Sequence, residues 1–120
     1  MLVPPRIFIV DDEALIAWNL VLEVEALGAE VIGPFHSVEE SLQSAEASAP
    51  DLAILDINLH DKKVWPVAEC LHAGGCPIVF VSADFDHAYI AAHFPQARMV
   101  HKPIGPGDLD VHISDLVGWP

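Results

Sequence analysis

The sequence predicts an α/β fold, a doubly wound parallel sheet of five strands flanked by five helices. Three observations carry that expectation. Short apolar runs alternate with longer stretches of helical period along the whole chain, which is the pattern of βαβ units. The runs RIFIV, LAIL and PIVFV are apolar at nearly every position, as strands buried on both faces require. Acidic or hydroxyl residues stop three of the runs: Asp11 the first, Asp56 the third and Ser82 the fourth. Right-handed crossovers wind such a sheet in two directions, and ligands bind outside the carboxyl ends of its strands, near the switch point.

Each element has its own signal. Arg6–Val10 forms the first strand. Residues 13–27 have helical period and end at Gly28, a residue suited to the C′ position. Glu30–Phe35 is the second strand, broken by Gly33–Pro34. Ser37 caps the next helix, with Glu40 at the capping-box position, and that helix stops near Ser48, before Pro50. Leu52–Leu55 is the third strand. The segment NLHDKK reads as a loop into a helix over 64–73, which carries Pro66 in its first turn and ends at Gly74–Gly75. Pro77–Val81 is the fourth strand, and a weak helix follows over 86–93. Arg98–His101 is the fifth strand, and the last helix spans about 107–117. No repeat, low-complexity segment or linker interrupts residues 1–120, so one domain is expected.

Composition excludes several classes of function. Five Lys and Arg stand against 18 Asp and Glu, a formal charge of −13 at pH 7. A nucleic-acid binder needs basic groups to displace phosphate counterions, and an anionic membrane surface would repel this chain. Clustered carboxylates suit a hard cation such as Mg²⁺ instead. Cys70 and Cys76 have no zinc-binding partners at useful spacing, so they read as reduced, partly buried thiols of a cytoplasmic protein. Pro4–Pro5 interrupts the start, and no apolar run has the length of a signal or spanning segment.

The predicted sheet gathers distant residues at one edge: Asp11, Asp12 and Glu13 from the first strand, Asp56 from the third, Ser82 from the fourth and Lys102 from the fifth. Three converging carboxylates repel one another unless a divalent cation relieves them. With the cation, Lys102 and Ser82 could neutralise and orient a phosphoryl group. Asp56 is then the nucleophile that forms an acyl phosphate.

Four motifs stand on the right element ends and in order: IVDDE at Ile9–Glu13, LAILDINL at Leu52–Leu59, VFVSA at Val79–Ala83 and HKPI at His101–Ile104. Each alone is weak; together they resemble the receiver domains of two-component response regulators over residues 7–117. The resemblance implies a flavodoxin-like sheet of strand order 2-1-3-4-5. It implies that Asp56 is the phosphoacceptor, that Asp12 ligates Mg²⁺ directly, and that Asp11 acts through a metal-bound water. Asn58 would offer its backbone carbonyl to the metal. Ser82 would bond a phosphoryl oxygen, Ala83 would leave room for it, and Lys102 would pair with it. A cis Lys102–Pro103 bond is implied as well. Such a chain is no enzyme beyond its own phosphorylation and dephosphorylation.

Departures from the family are informative. Many receivers carry an aromatic residue three positions before the Lys, where this chain has Met99. Met99 or His101, which share a strand face, would have to replace that readout. The fourth helix reads either as an ordinary short helix or as a mobile output face. The first helix carries two apolar stripes: Ile16, Leu20, Val24 and Leu27 toward the sheet, and Leu15, Trp18 and Leu22 nearly opposite. The second stripe suits a partner, either the helical bundle of a histidine kinase or phosphotransfer protein, or a second copy of the chain in a homodimer. His60 lies near the site or is a solvated loop residue; His36, His72, His87, His93 and His112 read as surface or boundary residues. Trp65 and Trp119 read as packing residues. Glu13 reads as a first-turn helix residue, and Asp84 and Asn58 stand where they would tune phosphoryl lifetime.

The leading functional expectation is a signalling receiver that takes a phosphoryl group from a kinase phosphohistidine. With no output domain before Pro120, the sequence reads as a stand-alone receiver or one separated from a longer chain, so a phosphorelay intermediate or a phosphate sink is the alternative. A haloacid-dehalogenase-type phosphatase would need DxD after the first strand, where this chain has DDE. A pseudo-receiver interaction module would lack part of the acidic pair, the acceptor or the Lys, and all are present.

Overall fold

The computed structural model describes residues 3–60 and 62–119. The chain runs β1 (Arg6–Val10), α1 (Ala14–Ala26), β2 (Glu30–Phe35), α2 (Val38–Ala47), β3 (Leu52–Asp56), β4 (Asn58–Leu59), β5 (Lys62–Lys63), α3 (Trp65–Ala73), β6 (Ile78–Ser82), α4 (His87–His93), β7 (Arg98–His101) and α5 (Asp108–Val117). Five strands form one sheet in the order β2-β1-β3-β6-β7, and every pair in it is parallel. That is the expected order 2-1-3-4-5 once the small β4–β5 ribbon is set aside.

The strict alternation of strand side chains divides the core between two faces. Ile7, Ile9, Leu52, Ile54, Val79 and Val81 lie on the face covered by α1 and α5, with Leu20, Val24, Leu109 and Ile113. Phe8, Val10, Leu55, Ile78 and Phe80 lie on the other, under Ala45, Val67, Leu71 and Ile90 of α2, α3 and α4. On α1, Leu20 and Val24 are buried as expected, together with Ala17 and Val21, while Ile16 and Leu27 are half-buried against the same cluster. Leu15, Trp18 and Leu22 point outward, exposed by 73, 56 and 48 %.

The structure corrects three local expectations. Gly33–Pro34 does not break β2. The strand continues to Phe35, and its pairing with β1 shifts register between Phe8 and Val10. Because β2 is an edge strand, Pro34 removes no donor that a neighbour needs. Gly33 sits at φ 113° with its α-carbon pressed on β1: an added Cβ would lie 2.9 Å from Ile9 O, so only glycine fits. The segment after Asp56 is not a plain loop but holds the antiparallel β4–β5 ribbon, with Asn58 opposite Lys63 and Leu59 opposite Lys62; strands of two residues are too short to show a period. Asp61 lies outside the described residues. Glu13 is the N-cap of α1, in extended conformation, rather than a residue of its first turn.

The remaining caps follow the sequence. Ser37 Oγ accepts from the Glu40 N–H, and Glu40 Oε1 reaches back to the His36 N–H. Pro66 stands in the first turn of α3. Gly28 takes φ 86° just beyond α1, where the Trp119 ring covers it and donates its Nε1–H to Leu27 O. Trp65 anchors a ring cluster between α3 and α4. It stacks on Tyr89 at 4.4 Å and meets Phe80 edge-on at 5.5 Å, while Tyr89 stacks on His93 at 4.1 Å. The short α4 is held by this ladder and by the buried Ile90 and Phe94.

Candidate functional site

The sheet's winding reverses between β1 and β3, and the site is built where these two strands end. Asp11 directly follows β1. Its N–H donates to Phe35 O at 3.0 Å, which continues the β1–β2 pairing one residue further and fixes the turn. Its side chain is fully buried. Oδ1 accepts from the Glu13 N–H at 2.9 Å, and Oδ2 pairs with Lys102 Nζ at 3.1 Å. Asp12 is half-buried, and its Oδ2 accepts from the His60 N–H at 2.8 Å. Asp56 ends β3 and is 4 % exposed. One carboxylate oxygen from each of Asp11, Asp12 and Asp56 lies within 4.8 Å of the others.

Lys102 arrives from the end of β7. Its Nζ stands 3.2 Å from Asp56 Oδ2 and 3.8 Å from Glu13 Oε1. Its N–H donates to Ser82 O at 3.0 Å, and the bond to Pro103 is cis, as expected. Ser82 ends β6, 2 % exposed. Its Oγ donates to Asp84 O at 2.8 Å and accepts from the Asp84 N–H at 3.2 Å, so the hydroxyl is committed to the loop entering α4. Ala83 and Asn58 are exposed at the rim, and Asn58 Oδ1 accepts from Lys63 Nζ.

Burial, and then the charge of Asp11, push the Asp56 carboxyl up to about 7 against the pull of Lys102. A carboxylate out of water beside a like charge favours its neutral form. Burial also works against the Lys102 ammonium, but Asp11 and Asp56 outweigh it and hold its pKa above the usual lysine value.

The donor set is all oxygen, and its three carboxylates are balanced by a single ammonium. These residues fit a hard divalent cation that keeps part of its water shell. The structure thus brings together Asp11, Asp12, Asp56, Ser82 and Lys102, with Asn58 at the rim.

Two histidines contact the acids of the site. The His36 ring Nδ1 lies 2.8 Å from Asp11 O and ties the loop after β2 to the site. His60 takes left-handed backbone, φ 57°, and holds Asp12 through its N–H; its place four residues after Asp56, and the tolerance of His for such backbone, are the signals the sequence offers. Met99 lies on the exposed face of the edge strand β7, 38 % exposed, and His101 on the same face meets Phe85 edge-on at 4.8 Å.

A parallel sheet of this order, with an acidic trio, a hydroxyl and a lysine at its carboxyl edge, has the arrangement of a receiver-type fold. The chain matches the response regulator receiver domain over residues 7–114 and belongs to that family. It is 32 % identical over 116 residues to the phyllosphere-induced regulator PhyR of Methylorubrum extorquens, covering 93 % of this chain and 43 % of that protein. It is 37 % identical over 110 residues to the transcriptional regulatory protein PdtaR of Mycobacterium tuberculosis, covering 89 % and 54 %. The crystal structure of the anti-anti-sigma factor PhyR from Bartonella quintana superposes with a TM-score of 0.80 at 26 % identity, over 98 % of this chain and 49 % of that one. The chain therefore spans about half the length of the curated relatives it matches. As a response regulator receiver domain it is a two-component signalling module. No helix among the described residues is long and apolar enough to cross a membrane.

Proposed function

We propose that this domain is a phosphoryl-accepting switch, with Asp56 as acceptor and a histidine kinase or phosphotransfer protein as donor. The observation that carries the reading is the buried Asp56 carboxylate between Lys102 and the two acids that follow β1. An Asp56 oxygen attacks phosphorus, the phosphorus–nitrogen bond of the donor phosphohistidine breaks, and the imidazole leaves with that electron pair. Asp11, Asp12, Asp56 and the Asn58 carbonyl would hold Mg²⁺. Bound there, the ion supplies positive charge against the acids and the phosphoryl oxygens. Lys102 Nζ shifts from the Asp56 oxygen to a phosphoryl oxygen. Ser82 Oγ exchanges the Asp84 carbonyl for another phosphoryl oxygen, which frees the loop into α4 and changes the surface offered to partners.

The apolar stripe of α1 is the proposed dock for the donor's helical bundle. The test is labelling by acetyl phosphate with Mg²⁺, with Asp56→Asn and added chelator as controls. Incorporation that survives both controls would falsify the reading, as would enzyme-like turnover of a phosphate monoester.

The output has a second reading. The likeness to a protein described as an anti-anti-sigma factor favours phosphorylation-controlled binding of an anti-sigma factor. Affinity for that partner that is unchanged by beryllofluoride, a phosphoryl mimic, would count against it.

A further inference from the structure

His60 is the one residue other than glycine with positive φ among the described residues, at 57°. Left-handed backbone is disfavoured for residues with a Cβ, least so for Asn, Asp and His. The conformation is anchored on both sides. Leu59 is buried in the core, and the Val64 N–H donates to Ile57 O at 2.9 Å across the base of the β4–β5 ribbon. So held, the turn aims the His60 N–H at Asp12 Oδ2, 2.8 Å away and 48 residues distant in sequence. The His60 Nδ1 lies 3.6 Å from the same oxygen, but the ring is 71 % exposed, and ion pairs so exposed contribute little.

Asp11 is fixed by burial, by the Glu13 N–H and by Lys102. Asp12 is half-buried, and the His60 N–H is the main-chain donor that fixes one of its oxygens. A cation site gains affinity when its ligands are oriented in advance by neighbours. We infer that His60 is a positioning residue for the cation site, its left-handed turn rather than its imidazole presetting Asp12 for Mg²⁺. The inference rests on the reading above, in which the acidic trio holds Mg²⁺.

Affinity should then follow left-handed propensity rather than side-chain charge. The test is calorimetric titration of MgCl₂ into the wild-type chain, His60→Asn and His60→Val. Acetyl phosphate labelling is run at limiting and saturating Mg²⁺, with thermal midpoints of the metal-free proteins as a check on folding. His60→Asn retains the N–H and tolerates positive φ, so its Kd stays within about twofold of wild type. His60→Val opposes positive φ, and its Kd rises roughly fivefold to tenfold. The defect appears in the Mg²⁺ concentration needed for labelling and not in the rate at saturation. Should His60→Val fail to fold, His60→Ala carries the same expectation at about twofold to fivefold. Wild-type affinity in the strained variants overturns the inference, as does a His60→Asn loss equal to that of His60→Val. A wild-type chain that binds no Mg²⁺ overturns the reading of the acidic trio and this inference together.

Discussion

Lys102 Nζ stands 3.2 Å from Asp56 Oδ2 at the carboxyl edge of the sheet, yet the Asp56 carboxyl is raised to about 7. One ammonium shared with Asp11 does not offset burial plus a like charge. The sign of the resulting pH dependence is fixed. Between pH 4 and 7 the folded state keeps a proton on Asp56 that the unfolded chain has released, so this group's stabilising contribution is present at low pH and lost as pH rises through 7. Asp56→Asn should therefore be more stable than wild type at pH 8 without metal, by roughly 2–4 kcal/mol. The gap should close toward pH 4. Denaturant midpoints across that range check it.

Mg²⁺ should oppose the same destabilisation. Added to the metal-free protein at pH 8, it should raise the thermal midpoint progressively with the logarithm of its concentration, by about 2.7 kcal/mol of stability at a hundredfold excess over Kd. Chelator should reverse the gain and Asp12→Asn should blunt it. The gain should be smaller at pH 5, where a proton competes for Asp56.

Trp18→Glu should separate chemistry from recognition. Trp18 is 56 % exposed, so the change should leave stability within about 0.5 kcal/mol. Acetyl phosphate labelling should persist, while transfer from the partner phosphohistidine should slow about tenfold or more, as loss of an interface aromatic implies. Equal rates from both donors in wild type and variant would remove α1 from the docking surface.

Trp65→Ala should loosen α4. The ring stacks on Tyr89 and meets Phe80 and Phe94, and its loss should cost about 3 kcal/mol. Amide exchange should speed most across 87–93. Uniform exchange over the whole sheet would show that the ladder is not what holds α4.

Most of the fold was legible because its signals are periodic. Apolar runs marked the three central strands β1, β3 and β6, and the residues at the strand ends placed Asp11, Asp56, Ser82 and Lys102 on adjacent strands. Contacts that carry no period were not legible. The turn at His60 depends on backbone handedness, which a single residue type only permits. The path of β2 through Gly33–Pro34 depends on an edge position and on the approach to Ile9 O, and neither is local in sequence. Trp65 was readable as a packing residue, but its partners Tyr89 and Phe94 come from a helix too short to announce its face and from the residue just after it. Met99 was legible as a departure, and its exposure on an edge strand follows from the alternation of β7.

The most direct test of the central claim is where the phosphoryl group goes. The wild-type chain is incubated with a phosphohistidine donor and Mg²⁺, the acyl phosphate is trapped by borohydride reduction, and the peptides are mapped by mass. The account predicts a single modified residue, Asp56, and no label when Mg²⁺ is chelated. Label on a histidine, on Asp11 or on Asp12, or label that persists in Asp56→Asn, would contradict it.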